Sequence, residues 1–201
     1  MARRNIVDRY SRATVEKRVG IILDNYATFN RILDGYEKSL SIVIRNERDF
    51  NRKKQLGDSG IRVQTSNISD ITAQTAIENV EIQEAIHDGD WRTATKGSDN
   101  IFKHRLEIET IGQMRDDYDI VTGQLSALLK EEYDFYLPYI NREKNCFEIA
   151  EEQGLSPEAV RMRLYRYRLI VKESALPFME RVRGVTPQKC AEEELLWERC
   201  S

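Results

Sequence analysis

The chain has 201 residues, 40% of them hydrophobic and 32% charged, with 31 basic against 34 acidic side chains and a formal net charge of −3. That length fits one or two small domains with a true core, and a nearly balanced charge leaves any nucleic-acid partner to be read from local distribution alone. No apolar run approaches the roughly 18–20 residues of a membrane span. The basic start Met1–Asn5 lacks the apolar stretch of a signal peptide, so a cytoplasmic protein with no membrane partner is expected.

The first element is a seam. Val15, Val19, Ile22, Tyr26, Phe29, Leu33, Tyr36, Leu40 and Val43 follow one another at alternating spacings of four and three. This predicts a single helix of about 30 residues with an apolar stripe, continuing through the basic segment Arg45–Lys54. Gly20 and Gly35 lie off the stripe. Such a helix must fold against others of the same chain, as a bundle, or pair with a second copy as a coiled-coil homodimer. The turn chemistry of Leu56-Gly57-Asp58-Ser59-Gly60 and the polar run Val63–Asn67 then read as a linker. A second helix is expected from Asp70 or Thr72, with Ile71, Ala76, Ile77, Val80 and Ala85 inward, ending at His87–Asp90. A third, capped by Ser98 or Asp99, carries Ile101, Ile108, Ile111 and Met114 or Tyr118 and breaks near Gly112 or Gly123. No segment alternates with period two, so the fold class is all-α. Five regions result: a long N-terminal helical region at 1–56, a polar linker at 57–69, connecting helices at 70–124, a DNA-binding region at 125–175 and a tail at 176–201.

Residues 146–165 read CFEIAEEQGLSPEAVRMRLY. A helix-turn-helix needs a small residue where its helices cross, and Ala150 is there. Four positions on, the turn needs a residue tolerant of positive φ, and Gly154 supplies it. Leu155 plugs the turn, Ser156 and Pro157 open the second helix, and Val160 can return to Ile149. Leu164, Tyr167 and Val171 extend the buried stripe. From Pro157 to Lys172 the bases Arg161, Arg163, Arg166, Arg168 and Lys172 face one acid, Glu158, whereas the preceding helix holds Glu148, Glu151 and Glu152 and no base. The outward positions near the helix start, Glu158, Arg161, Met162 and Tyr165, are candidates for base readout. Arg163, Arg166, Arg168 and Lys172 are candidates for phosphate contact. A preceding helix at about Glu131–Ile140, with Tyr133, Phe135, Tyr136, Leu137 and Tyr139 as core and Pro138 bending or shortening it, would complete a trihelical unit.

Ser156–Arg168 resembles the recognition helix of extracytoplasmic-function sigma factors, whose region four has a Ser, then Ala-Val, then Arg-Leu and a basic run. The likeness covers about 25 residues, and no counterpart of sigma region two is found. The layout is more similar to the sigma-like regulators of phages and mobile elements, of the ArpU and RinA types. That resemblance implies control of late genes together with host RNA polymerase, with Ser156, Glu158, Arg161, Met162, Tyr165 and Arg166 as family positions on double-stranded DNA. A small terminase subunit and a complete sigma factor are the alternatives.

Cys146, Cys190 and Cys200 share no metal-type spacing with each other or with His87 and His104, which read as surface or half-buried imidazoles. No phosphate loop, HExxH pair or GxSxG elbow occurs. Neither a metal, a cofactor nor an enzymatic activity is expected. The tail holds Pro177-Phe178-Met179, Gly184–Pro187 and an acidic amphipathic segment, Glu192–Trp197, expected to cap the domain, pack on the bundle or meet polymerase.

Overall fold

In a computed structural model of the chain, residues 6–55 and 68–183 are described. The expected linker at 57–67 and the tail features Gly184–Pro187, Cys190, Glu192–Trp197 and Cys200 lie outside them. Every described element is helical and no strand occurs among the described residues. In order these are α1 (Ile6–Ser11), α2 (Val15–Asn25), a 3-10 turn (Tyr26–Thr28), α3 (Phe29–Gln55), α4 (Ile68–His87), α5 (Trp91–Ala94), α6 (Ile101–Ser126), α7 (Lys130–Ile140), α8 (Cys146–Gln153) and α9 (Pro157–Arg183). Among the described residues no helix is long and apolar enough to cross a membrane.

The chain divides into two compact units, Met1–Ser11 with Thr28–Arg115 and Arg12–Ala27 with Asp116–Ser201. The division corrects the reading of Val15–Val43 as one helix. The seam breaks at Tyr26–Thr28, where the Asn25 side chain donates to the Ile21 carbonyl (2.8 Å) and the helix tightens into a 3-10 turn. Val15, Val19 and Ile22 are buried in the second unit, Phe29, Leu33 and Leu40 in the first. Tyr26 stacks on Tyr118 (5.3 Å between ring centres), and Phe29 meets Tyr10 (6.4 Å). Val43, the last seam position, is 45% exposed, and its neighbour Ile44, one turn beyond the buried Leu40, takes its place in the core.

In the first unit, α4 packs on α3 and α5. Ala85 is buried as expected, but Ile82 and Ile86 are buried with it and Ala76, Ile77 and Val80 are exposed, so the rest of the apolar face assigned to this helix is corrected; the Ile71 side chain lies outside the described residues. The helix is apolar on more than one side, and packing chose the other. Helix α6 runs unbroken through Gly112 and Gly123. Ser98 does not cap it, since its hydroxyl donates to Glu47. His104 is 1% exposed, against the half-buried or surface reading. Its Nε2 meets the Glu47 carboxylate and its Nδ1 that of Glu107, each at 3.1 Å, and Glu107 also accepts from Tyr36 Oη at 3.0 Å.

In the second unit, α2 is capped by Thr14, whose Oγ1 accepts from the Lys17 amide, and packs along α9. Arg18 and Asp117 are buried together, 3.8 Å apart. Helix α9 continues through Pro177 to Arg183, so the expected boundary at 175/176 falls inside a helix. Pro177 lacks the amide for one backbone bond. Ala175 and Met179, both buried, hold the helix on either side of it.

Candidate nucleic-acid interface

Helix α8 starts with a capping box. The Asn145 Oδ1 accepts from the amides of Phe147 (2.8 Å) and Glu148 (3.1 Å), and the Glu148 carboxylate accepts from the Asn145 amide (2.6 Å). The Asn-x-x-Glu spacing was present in the sequence and went unused. The helix ends at Gly154, left-handed at φ 61° and ψ 34°, and the Leu155 amide closes back on the Ala150 carbonyl at 2.9 Å. Ser156 then caps α9 by accepting from the Ala159 amide at 3.2 Å. The Cys146 thiol donates to the Pro157 carbonyl (3.4 Å), tying the starts of the two helices together.

The interior between α8 and α9 is Ile149, Ala150, Val160 and Leu164, all buried, and α7 closes the other side of α9. Of the five residues of α7 expected in the core, only Tyr136 is fully buried; Tyr139 is exposed, and Tyr133, Phe135 and Leu137 are half-buried. Tyr167 meets the rings of Phe135 and Tyr136 at 5.9 and 6.3 Å. Burial pushes the Tyr136 phenol up to about 12, so it stays protonated. Pro138 sits inside α7, near its end, where its carbonyl accepts from the amides of Glu143 and Lys144.

The candidate residues separate into two groups. Glu158, Arg161, Met162, Tyr165 and Arg166 are exposed on α9, Met162 at 69% and Tyr165 at 64%. Arg161 is steadied on two sides: its Nη1 lies 3.4 Å from Glu158, and its guanidinium sits 5.6 Å from the centre of the Phe147 ring. Arg163, also exposed, lies 5.7 Å from the Phe135 ring. Arg166 forms no ion pair among the described residues. Arg168 and Lys172 differ. Arg168 donates to Asp24 (2.7 Å) and to the Gly20 carbonyl (3.4 Å), and Lys172 to Glu16 (2.5 Å), so both bind α2. The hydrogen bond from Lys172, and then its charge, hold the Glu16 carboxyl below its usual range. In this structure these two bases anchor α9 on α2. Two features escaped sequence reasoning: the acids on α2, and Phe147, a ring 62% exposed at the start of α8.

Among the described residues no group of three His, Cys, Asp or Glu side chains is placed to hold a metal ion. The chain matches no protein-family model, no curated protein and no solved structure.

Proposed function

We propose that α8, the Gly154–Ser156 turn and α9 form a DNA-binding helix-turn-helix, and that the chain regulates transcription by recognising a specific duplex sequence. The observation that carries the reading is the division of α9. One side is buried against α7, α8 and α2, while Arg161, Met162, Tyr165 and Arg166 stand exposed near its start with Arg163 beside them. With that end in the major groove, Arg161 reaches base edges, Met162 and Tyr165 supply apolar contact such as a thymine methyl accepts, and Arg163 and Arg166 meet phosphates. The likeness of Ser156–Arg168 to the sigma recognition helix, together with the similarity of the layout to the ArpU and RinA types, extends the reading to an activator of phage or mobile-element late genes, working with host RNA polymerase in the bacterial cytoplasm.

The test is selection from a pool of random duplex DNA by the full-length protein, with affinity then followed against salt. One enriched motif, and a slope equivalent to a few neutralised phosphates, is the expected result. Binding that is weak and equal for all sequences overturns sequence-specific recognition. Absence of binding overturns the DNA assignment.

A further inference from the structure

We infer that Phe147 is a positioning residue for base recognition: its ring holds the Arg161 guanidinium for a guanine edge, so the selected site carries a required guanine under the start of α9. The inference rests on the helix-turn-helix reading and adds to it a residue and a base.

Phe147 does not serve the core. The buried residues of α8 are Ile149 and Ala150, whereas Phe147, two and three residues before them, is 62% exposed. A single exposed ring is ordinary by itself; what distinguishes this one is the charged group over its face. What lies there is the Arg161 guanidinium, 5.6 Å from the ring centre, with Glu158 at one edge 3.4 Å away. A free arginine side chain carries about 2 kcal/mol of rotamer entropy, which it must surrender to read a base. A ring on one face and a carboxylate at one edge remove part of that freedom beforehand, and leave other N–H donors of the fork to point outward. Guanine offers the matching pair of acceptors, N7 and O6, on its major-groove edge. Of its exposed neighbours, Met162 has no strong donor and Tyr165 has one hydroxyl, while Arg166 carries a fork that no ion pair among the described residues holds in place. Arg163 is matched with Phe135 of α7, on another side of α9, where a phosphate contact is the simpler role.

Selection from random duplex DNA with the full-length parent, Phe147→Leu, Phe147→Trp and Arg161→Ala tests this, with melting temperature and salt slope measured for each. The parent motif should contain a guanine whose replacement by 7-deazaguanine, which lacks N7, weakens binding about tenfold. Phe147→Leu, which keeps apolar bulk but has no ring, should lose preference at that position alone, with melting and salt slope unchanged. Phe147→Trp should keep the preference, and adding Phe147→Leu to Arg161→Ala should cost nothing more there. A Phe147→Leu motif identical to the parent's, or a parent motif without such a guanine, overturns the inference while leaving the helix-turn-helix reading in place. A parent that enriches no motif overturns both.

Discussion

Acidification should strip the first unit of the support that Glu47 gives it. Its carboxylate accepts from the Ser98 hydroxyl and from Asn100 Nδ2 (3.0 Å) and lies 3.1 Å from His104 Nε2, linking α3 to the start of α6. Burial by itself would raise the Glu47 pKa, but the bonds from Ser98, Asn100 and His104 outweigh it and hold the group at about 2 instead of 4.5. The fall from 4.5 to about 2, at about 1.4 kcal/mol for each pH unit, sets an upper limit of about 3.5 kcal/mol on the carboxylate's contribution. The folded-state value lies below the unfolded one. The contribution is therefore complete above the unfolded value, 4.5, and is lost as pH falls from there through about 2. Glu47→Gln keeps the shape and removes the titration. Urea unfolding of parent and variant, followed by circular dichroism at pH 7, 5 and 3, should give nearly the same gap at pH 7 and 5 and less than half of it at pH 3. A gap as wide at pH 3 as at pH 7 refutes the view that the donors stabilise the charged carboxylate.

Asp117→Ala should destabilise the second unit by about 3–5 kcal/mol, because it removes the carboxylate 3.8 Å from the buried Arg18 guanidinium; thermal melting checks this, and a loss below 1 kcal/mol counts against a charge-paired interior. At Gly154 a Cβ would meet nothing within 4 Å, so the cost of Gly154→Ala is the left-handed backbone alone, about 1–2 kcal/mol. Gly154→Asn should lose less than Ala and Gly154→Val more, and a flat series in thermal melts refutes the turn's role. Arg168→Ala should lower stability by less than about 1 kcal/mol, as a half-exposed ion pair does, and leave the selected DNA motif unchanged. A large fall in DNA affinity at equal stability would return Arg168 to the phosphate contacts.

The helix, turn and second helix at 146–171 could be read from sequence because every requirement there is local. Ala150, Gly154, Ser156 and Val160 lie within eleven residues, and each answers a steric need of its near neighbours. What sequence could not supply was long-range pairing. The pairing of Arg168 and Lys172 with α2 went unseen because Asp24 and Glu16 lie 144 and 156 residues away. His104 read as ordinary because Glu47, its main partner, is 57 residues distant. The break at Tyr26–Thr28 escaped for the opposite reason: the spacing of threes and fours passes through it without a fault, and periodicity reports a helical face but not which body that face joins. In α4 two apolar faces competed, and nothing near in sequence favours Ile82 and Ile86 over Ile77 and Val80.

The second unit is discontinuous: α2 comes early in the chain, and α9, on which it packs, about 130 residues later. Domains generally fold as units during synthesis, at roughly 5–20 residues per second. Val15, Val19 and Ile22 therefore leave the ribosome on the order of ten seconds before α9 exists, an apolar stripe waiting for its partner while the residues of the first unit are made and can fold. The surface formed by α8 and α9 is completed only after all residues of the first unit have been made. A pause in translation before residue 157 lengthens the period in which α2 is open to chaperones, or to the same helix on a neighbouring ribosome.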